Sequence, residues 1–319
     1  MRPRLVLLLR IGIALLFAVI AVRVLMSEFS SLSLAEVGKG LTRIGWGAVG
    51  GMMLATMAAY AAVATYDSFA LRYAGKSLSL RRSALSSGGS YAISNLLGFP
   101  LFTGNAVRFW LFEAWGFGAG DVAIASIAGT IVCNLTLALI AGISLIAAPD
   151  LVTRISGLSA GWGVGAGLAI TLLAVAVIGL AVVGPRTLKL GRISINRPGP
   201  LLLLQLPACA IDYVGTAAVL YIPMSQILGM DFLPFVALFS IAKLIGIVSN
   251  VPGGLGVFEA VMASVIYNVS ASDLAAALIA YRAIFYLAPF GIAASAVAVH
   301  SLRRTSRRSA PRQPSTPSD

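Results

Sequence analysis

Residues 243–261 read KLIGIVSNVPGGLGVFEAV, an apolar stretch that is interrupted at 252–256 by the glycine- and proline-rich run PGGLG. A second apolar stretch at 86–109, SSGGSYAISNLLGFPLFTGNAVRF, is broken by glycine and proline in the same way. Glycine and proline at this density break a helix. At membrane depth, broken backbone is tolerated only where protein or a water-filled cavity satisfies the freed polar groups. The two stretches therefore predict two broken-helix hairpins inside a membrane protein.

The composition of the whole chain also indicates a membrane protein. Of its 319 residues, 59% are hydrophobic and 11% are charged, whereas a soluble domain carries about 45–50% apolar and about 25% charged residues. A membrane-spanning helix needs about 20 apolar residues. We therefore predict an all-α polytopic membrane protein with about six full spans in addition to the two hairpins. Runs of spanning length lie near 5–27, 44–66, 121–148, 161–183, 200–222 and 273–299.

The basic residues indicate how the two broken stretches are placed. The net charge is +12, and the basic residues cluster beside the apolar runs, so we expect no nucleic-acid partner. If both stretches are re-entrant hairpins, the clusters at 67–82 and 184–199 and both termini fall on the cytoplasmic side, as the positive-inside rule requires. If each stretch crosses once, the 184–199 cluster moves outside. We therefore predict re-entrant hairpins in a multi-pass protein of the inner (plasma) membrane, with both termini in the cytoplasm.

The end of the chain differs in composition from the rest. Residues 303–319, RRTSRRSAPRQPSTPSD, are basic and rich in proline and serine. We expect them to form a disordered cytoplasmic tail close to the anionic inner leaflet. Residues 1–302 are expected to form one transmembrane domain.

The two hairpins also indicate an internal repeat. The order Ser-Asn, helix break and a span that opens with aspartate occurs at 94–121 and again at 249–273. An odd number of full crossings separates the two copies, so the prediction is an inverted repeat. Inverted repeats with interrupted helices at matching positions mark the substrate site of many transporters.

Ionisable residues inside the apolar segments are the candidates for a polar site, because each is costly in hydrocarbon. Two interpretations of these residues stay open: the acids and bases neutralise one another as structural pairs, or they form a polar site that contacts a substrate headgroup. The candidates are Arg108, Asp212, Lys243, Glu259 and Arg282.

Arg108 lies in the returning limb of the first hairpin, within TGNAVRF. A guanidinium holds a phosphate through two parallel hydrogen bonds. Helices that start after Gly104 and Gly256 would add backbone N–H groups toward the same anion. This combination suits the phosphodiester of a phospholipid, although Arg108 would equally reach the cytoplasmic headgroups by snorkelling.

Catalysis is not expected. The sequence has no visible nucleophile–base pair and no cluster of metal ligands. Its only histidine is His300, and its two cysteines, Cys133 and Cys209, lie within apolar runs, where cysteine is typically a small buried hydrophobe. We therefore expect no enzymatic activity, no cofactor and no metal.

Three segments resemble a known family, the lysylphosphatidylglycerol synthase transmembrane-region family. They are SNVPGGLGVFEAVM at 249–262, NLLGFPLFTGNAVRFWLFEAWGF at 95–117, and YRAIFYLAP at 281–289. In the larger members, the multiple peptide resistance factors, this region is a flippase that moves aminoacylated phosphatidylglycerol to the outer leaflet. A separate C-terminal domain of those proteins makes the lipid. Because this chain ends at residue 319 without such a domain, the resemblance implies translocation without synthesis.

The resemblance also implies which residues bind the lipid. Asn105 stands where many relatives have glutamate, so one headgroup-facing charge is missing. The residues carried over by position are Arg108, Asn250, Gly253, Gly254, Glu259 and Arg282.

The resulting hypothesis is the translocation of a polar phospholipid or glycolipid, such as aminoacylated phosphatidylglycerol, between the leaflets. In it, Arg108 and Arg282 contact the lipid phosphate, while Glu259 and Asp212 face a cationic headgroup or a transferred proton. Membrane lipids are the expected partners, and a homo-oligomer or a membrane enzyme is kept open as a further partner. The alternatives are a non-transporting scaffold or regulator of a lipid- or glycan-modifying enzyme, and a carrier for a small soluble solute.

Overall fold

The computed structural model describes residues 34–97, 100–151, 153, 157–184, 187–190, 193–196, 199–248, 257–266 and 268–308. Most of these residues are helical, because long apolar runs in a membrane must satisfy their own backbone hydrogen bonds. The helices are α1 (Leu34–Arg43), α2 (Trp46–Val63), α3 (Tyr66–Tyr73), α4 (Leu80–Ser83), α5 (Gly89–Leu97), α6 (Pro100–Ala114), α7 (Ala119–Ala147), α8 (Ala160–Val183), α9 (Leu201–Tyr221), α10 (Phe232–Val248), α11 (Val257–Val265), α12 (Ala271–Arg282) and α13 (Ala288–Arg308).

Helical segments of membrane-spanning length confirm the predicted all-α polytopic fold. Five segments of the described chain are long and apolar enough to cross a membrane, and they coincide with five of the six predicted spans. The predicted span at 5–27 lies outside the described residues. The five segments are Trp46–Tyr73, Ala119–Ala147, Ala160–Val183, Leu201–Met224 and Ala271–Val297.

A small β-hairpin was not predicted. Strands β1 (Thr187–Leu190) and β2 (Ile193–Asn196) pair in antiparallel register within the basic segment 184–199. A hairpin of this size between α8 and α9 leaves the fold class unchanged. The backbone N–H of Gly199 then donates to the carbonyl oxygen of Ala181 at 3.3 Å, which returns the chain to the end of α8.

The first broken stretch folds back on itself as predicted from its sequence. A π-helical turn (Ala84–Gly88) leads into α5, and α6 returns along α5. The hydroxyl of Thr103 donates to the hydroxyl of Ser94 at 3.3 Å. A Cβ atom added at Gly104 would lie 2.5 Å from the Ser94 Oγ, so a larger residue there would require the Ser94 side chain to move. Helices α5 and α6 therefore form an antiparallel pair.

The second broken stretch also brings two helices together. Helices α10 and α11 pack against each other, and the rings of Phe239 and Phe258 meet edge to face with 5.3 Å between their centroids. The intervening residues 249–256 lie outside the described part of the chain. The inverted relation between the two hairpins stays a prediction.

An aromatic core lies between the two hairpins. The ring of Tyr281 stacks on Phe285, with 5.7 Å between centroids and 9° between planes. Phe285 lies in a second π-helical turn (Ala283–Leu287), and its carbonyl oxygen accepts a hydrogen bond from the Tyr60 hydroxyl at 3.3 Å. A π-helical turn disturbs the regular backbone ladder of the helix, and Tyr60 provides a donor for a carbonyl at this point.

Helices α7 and α8 pack with their backbones close together. A Cβ atom added at Gly167 would lie 2.7 Å from the carbonyl oxygen of Gly142. One added at Gly142 would lie 2.4 Å from the hydroxyl oxygen of Thr171. These glycines let the two backbones touch, as is typical of helix pairs in membranes.

The last helix runs further than the predicted domain boundary. Helix α13 continues to Arg308 and so includes the first residues of the basic tail that was expected to begin at 303. Residues 309–319 of that tail lie outside the described part of the chain.

Candidate functional site

Arg108 of α6 is held by a carboxylate from α3. Its Nε donates to Asp67 at 3.0 Å to Oδ1 and 3.2 Å to Oδ2. The Asp67 side chain is fully buried, and 15% of the Arg108 side chain is exposed. Within the described residues, the hydrogen bonds of Arg108 are those made by Nε, so its terminal Nη groups keep donors for a ligand. A guanidinium of this kind suits an anionic group such as a phosphate.

Asp212 lies at the meeting point of α9, α3 and α5. Tyr66 donates to its Oδ2 and Tyr91 to its Oδ1, each at 3.0 Å, and the hydroxyl of Thr216 lies 3.3 Å from Oδ1. The residue is 1% exposed. Hydroxyl donors from three helices therefore satisfy a carboxylate that the helices remove from solvent.

Lys243 of α10 rests on aromatic rings. Its Nζ lies 4.7 Å from the ring centroid of Tyr213 and 5.8 Å from that of Phe239. Cation–π contacts at these distances stabilise a partly desolvated ammonium. The ammonium is also near enough to Asp212 for the two charges to interact. In the described part of the chain, Lys243 forms no ion pair with a carboxylate within 4.0 Å.

Glu259 and Arg282 form the ion pair of the second hairpin. The Nη2 of Arg282 donates to Oε1 of Glu259. The two side chains are 12% and 13% exposed, respectively. The guanidinium carbon of Arg282 also lies 5.8 Å from the ring centroid of Tyr286. The pair joins α11 to the end of α12, so it links the returning limb of the hairpin to the next span.

Asn105 is engaged with the neighbouring span. The hydroxyl of Ser126 in α7 donates to Oδ1 of Asn105. Asn105 lies on α6, one turn before Arg108. The Asn105 amide therefore connects α7 to α6, the helix that carries Arg108.

Two adjacent residues of α3 connect these groups. Tyr66 donates to Asp212, and Asp67 accepts from Arg108. A change in either contact acts on the same turn of helix. Asp212 and Arg108 are thus joined through two hydrogen bonds and one peptide unit.

Aromatic side chains extend the connection to the second hairpin. The ring of Tyr91 meets Phe285 edge to face at 6.4 Å, and Phe285 stacks on Tyr281. The hydroxyls of Tyr281 and Tyr286 lie 3.3 Å apart, and the guanidinium of Arg282 lies over the Tyr286 ring. A continuous path of polar and aromatic contacts therefore runs from Arg108 to Glu259. We call it the inter-hairpin path.

The sequence identified some of these residues and missed others. Of the predicted site residues, Arg108, Asp212, Lys243, Glu259 and Arg282 all lie on or beside the inter-hairpin path. Asn250, Gly253 and Gly254 lie outside the described residues.

Tyr66, Asp67 and Tyr91 were not predicted. The signal for Asp67 is its isolation: it is the one acidic residue in the otherwise basic segment 67–82, directly after an apolar run. The acid partners of the two arginines are also now specified, since Arg108 pairs with Asp67 and Arg282 with Glu259.

Comparison with known proteins identifies a matching family and several relatives. The family model for the lysylphosphatidylglycerol synthase transmembrane region matches residues 7–293. An uncharacterized protein of Synechocystis is 31% identical over 254 residues, which cover 76% of this chain and 76% of that protein. Phosphatidylglycerol lysyltransferases from two strains of Staphylococcus epidermidis are each 34% identical over 86 residues, which cover 26% of this chain and 10% of the enzyme.

Proposed function

The chain belongs to the lysylphosphatidylglycerol synthase transmembrane-region family, and from that premise we propose that it moves a polar phospholipid between the two leaflets of the cell membrane. The observation that carries the proposal is the placement of one arginine–carboxylate pair at each broken-helix hairpin, Arg108–Asp67 and Arg282–Glu259. Charged groups inside a membrane protein are costly unless they are paired or used. Two such pairs at the two helix breaks support a passage for a charged headgroup.

The headgroup would be recognised first by Arg108. Asp67 holds Nε and leaves the Nη groups to form paired hydrogen bonds with the phosphodiester. The acyl chains would stay in the bilayer while the headgroup moves from the first hairpin to the second. Arg282 would receive the phosphate there, with Glu259 as its resting partner.

The chemistry of the inter-hairpin path supports a headgroup that carries a positive charge as well as the phosphate. Tyrosine and phenylalanine side chains make up much of it, and ring faces attract ammonium groups. Glu259 would balance an amine on the headgroup. Phosphatidylglycerol and its aminoacylated form are therefore the first lipids to test, and the name of the Staphylococcus relatives, phosphatidylglycerol lysyltransferase, agrees with this choice.

The proposal includes a membrane topology. Both hairpins would be re-entrant, and both chain termini would face the cytoplasm, because this arrangement keeps the basic clusters on one side. Transport, not catalysis, would be the role of this region. Oligomerisation and the association with a lipid-modifying enzyme stay predictions.

Reconstitution into liposomes tests the function. Vesicles of phosphatidylcholine and phosphatidylglycerol would carry a trace of headgroup-labelled phosphatidylglycerol, and a membrane-impermeant reductant would quench the outer leaflet. Purified protein is expected to raise the fraction of label that becomes accessible, relative to protein-free vesicles. Parallel vesicles with labelled lysyl-phosphatidylglycerol or phosphatidylethanolamine would rank the headgroups. Folded protein that leaves every label at the protein-free rate would refute lipid translocation and favour the scaffold alternative.

A further inference from the structure

Asp212 differs from the other buried acids of the described chain. The buried aspartates are Asp67, Asp121 and Asp212. Asp67 pairs with Arg108 at 3.0 Å and Asp121 with the Lys76 ammonium at 2.6 Å. Asp212 has no basic group within ion-pair distance among the described residues; its hydrogen-bond partners are hydroxyls.

This difference has a chemical consequence. An arginine does not deprotonate in proteins and has no acceptor, so protonation of its carboxylate partner would leave a buried cation unpaired. A tyrosine or threonine hydroxyl can donate or accept. When a proton binds to Asp212, one of its hydroxyl partners can turn and accept the new O–H. Asp212 can therefore change protonation state without leaving an ion-paired cation behind.

The surroundings of Asp212 also tolerate both states. The Lys243 ammonium balances the ionised carboxylate from a distance and is held separately by ring faces, so it keeps a stabilising contact when the carboxylate is neutral. On the neighbouring helix α12, Arg282 pairs with Glu259 and Asp273 pairs with Arg43. The titratable groups that face Asp212 are Tyr60 of α2, Tyr66 of α3, Tyr91 of α5, Cys133 of α7, Lys243 of α10 and, on its own helix, Tyr213.

We propose that Asp212 is a proton-binding site that couples lipid translocation to a proton gradient. One proton from the aqueous phase on one side forms an O–H bond at the Asp212 carboxylate, and that bond breaks when the proton leaves to the other side. Tyr66 relays the change, because its hydroxyl contacts Asp212 while the next residue, Asp67, holds Arg108. The inference rests on the proposed lipid translocation and adds its energy source.

Infrared difference spectroscopy of the detergent-solubilised protein tests proton binding without any transport. Titration with acid is expected to produce a carboxylic-acid carbonyl signal that is absent in Asp212→Asn and present in Asp231→Asn, whose carboxylate is exposed. Tyr66→Phe keeps the carboxylate and removes one donor to its ionised form, so the signal should appear at higher pH. A titration that is identical in wild type, Asp212→Asn and Tyr66→Phe would overturn the assignment.

Coupling is tested in the phosphatidylcholine–phosphatidylglycerol vesicles described above. A pH difference of one unit changes the ratio of protonated to ionised carboxyl about tenfold, so wild-type exchange of labelled phosphatidylglycerol should change several-fold when the gradient is imposed or reversed. Asp212→Asn should exchange lipid at one rate whatever the gradient. Wild-type exchange at a rate that does not depend on the gradient would refute the coupling, but it would not refute lipid translocation. Absence of wild-type exchange under every gradient would refute translocation itself.

Discussion

The Nε–H of Arg108 is directed at the carboxylate of Asp67, and this contact makes α3 part of the candidate site. Both side chains lie mostly or wholly out of solvent. Two residues 41 positions apart in the chain thus form an ion pair between a predicted hairpin and the preceding span. The contact fixes the position of the guanidinium and explains why a fully buried aspartate is tolerated at this place.

The Asp67–Arg108 pair predicts a strong energetic coupling. Replacing only one partner leaves a buried charge unpaired, which costs about 3–5 kcal/mol. Replacing both should cost less than the sum of the single changes, with a coupling energy of about 1–3 kcal/mol. Unfolding of Asp67→Asn, Arg108→Gln and the double variant in detergent would measure it. Asp150→Asn, an exposed aspartate, is the control, and strictly additive effects of the two changes would argue against the pair.

The contact between α7 and α8 predicts a sharp difference between two glycines on one helix. Gly167→Ala should destabilise the protein by about 1–3 kcal/mol, since its Cβ would lie 2.7 Å from a backbone oxygen. Gly179→Ala should be neutral or stabilising, because a Cβ there meets no described atom within 4 Å. Thermal unfolding of both variants in the same detergent makes the comparison. Equal melting temperatures would mean that the two backbones are further apart.

The two cysteines predict an intramolecular cross-link. The Sγ atoms of Cys133 and Cys209 lie 3.1 Å apart, on α7 and α9, and both thiols are free. A mild oxidant that enters the bilayer should join them into a disulfide within one chain, because the two sulfur atoms are already in contact. Intact-mass spectrometry would detect the loss of the two thiol hydrogens, and Cys133→Ser should prevent it. Two thiols that stay fully alkylatable after oxidation would contradict the packing of α7 on α9.

The ion pair of the second hairpin predicts a loss of transport. Glu259→Gln removes the charge that balances Arg282 and keeps the size of the side chain. The rate of headgroup transfer should therefore fall by at least tenfold, which corresponds to a loss of about 1.4 kcal/mol in the stabilisation of the moving headgroup. Glu113→Gln, at an exposed position on α6, should transport at the wild-type rate. The rate of leaflet exchange in vesicles is the measurement. Unchanged flux in Glu259→Gln would remove Glu259 from the mechanism.

Much of the architecture could be predicted from local sequence. Apolar runs of spanning length define the helices Ala119–Ala147 and Ala160–Val183, because a membrane permits few other structures for such runs. The glycine- and proline-rich stretch at 98–104 likewise predicted a boundary between two packed helices. The expected helix start after Gly104 is wrong, because α6 already begins at Pro100 and Gly104 lies inside it, so the N-terminus of this helix does not lie beside Arg108. The strands Thr187–Leu190 and Ile193–Asn196 were missed because basic residues in this segment resemble an ordinary loop.

The partners within the site could not be predicted in the same way. Tyr66 and Asp212 are 146 positions apart, and their contact depends on how α3 packs against α9. Sequence alone marks Asp212 as costly in a membrane, but it does not say which hydroxyls satisfy it. Asp67 was grouped with the basic segment that follows, whereas the chain continues as helix through Tyr73 and buries it.

The most direct test of lipid translocation is the initial rate of leaflet exchange of headgroup-labelled phosphatidylglycerol, with wild type, Arg108→Ala and Arg81→Ala reconstituted at equal density. Arg81 is an exposed arginine close to the first hairpin, so its loss removes the same charge without touching the site. We expect exchange near the protein-free rate in Arg108→Ala and wild-type exchange in Arg81→Ala. Equal exchange by all three folded proteins would contradict the role of Arg108 as the headgroup anchor.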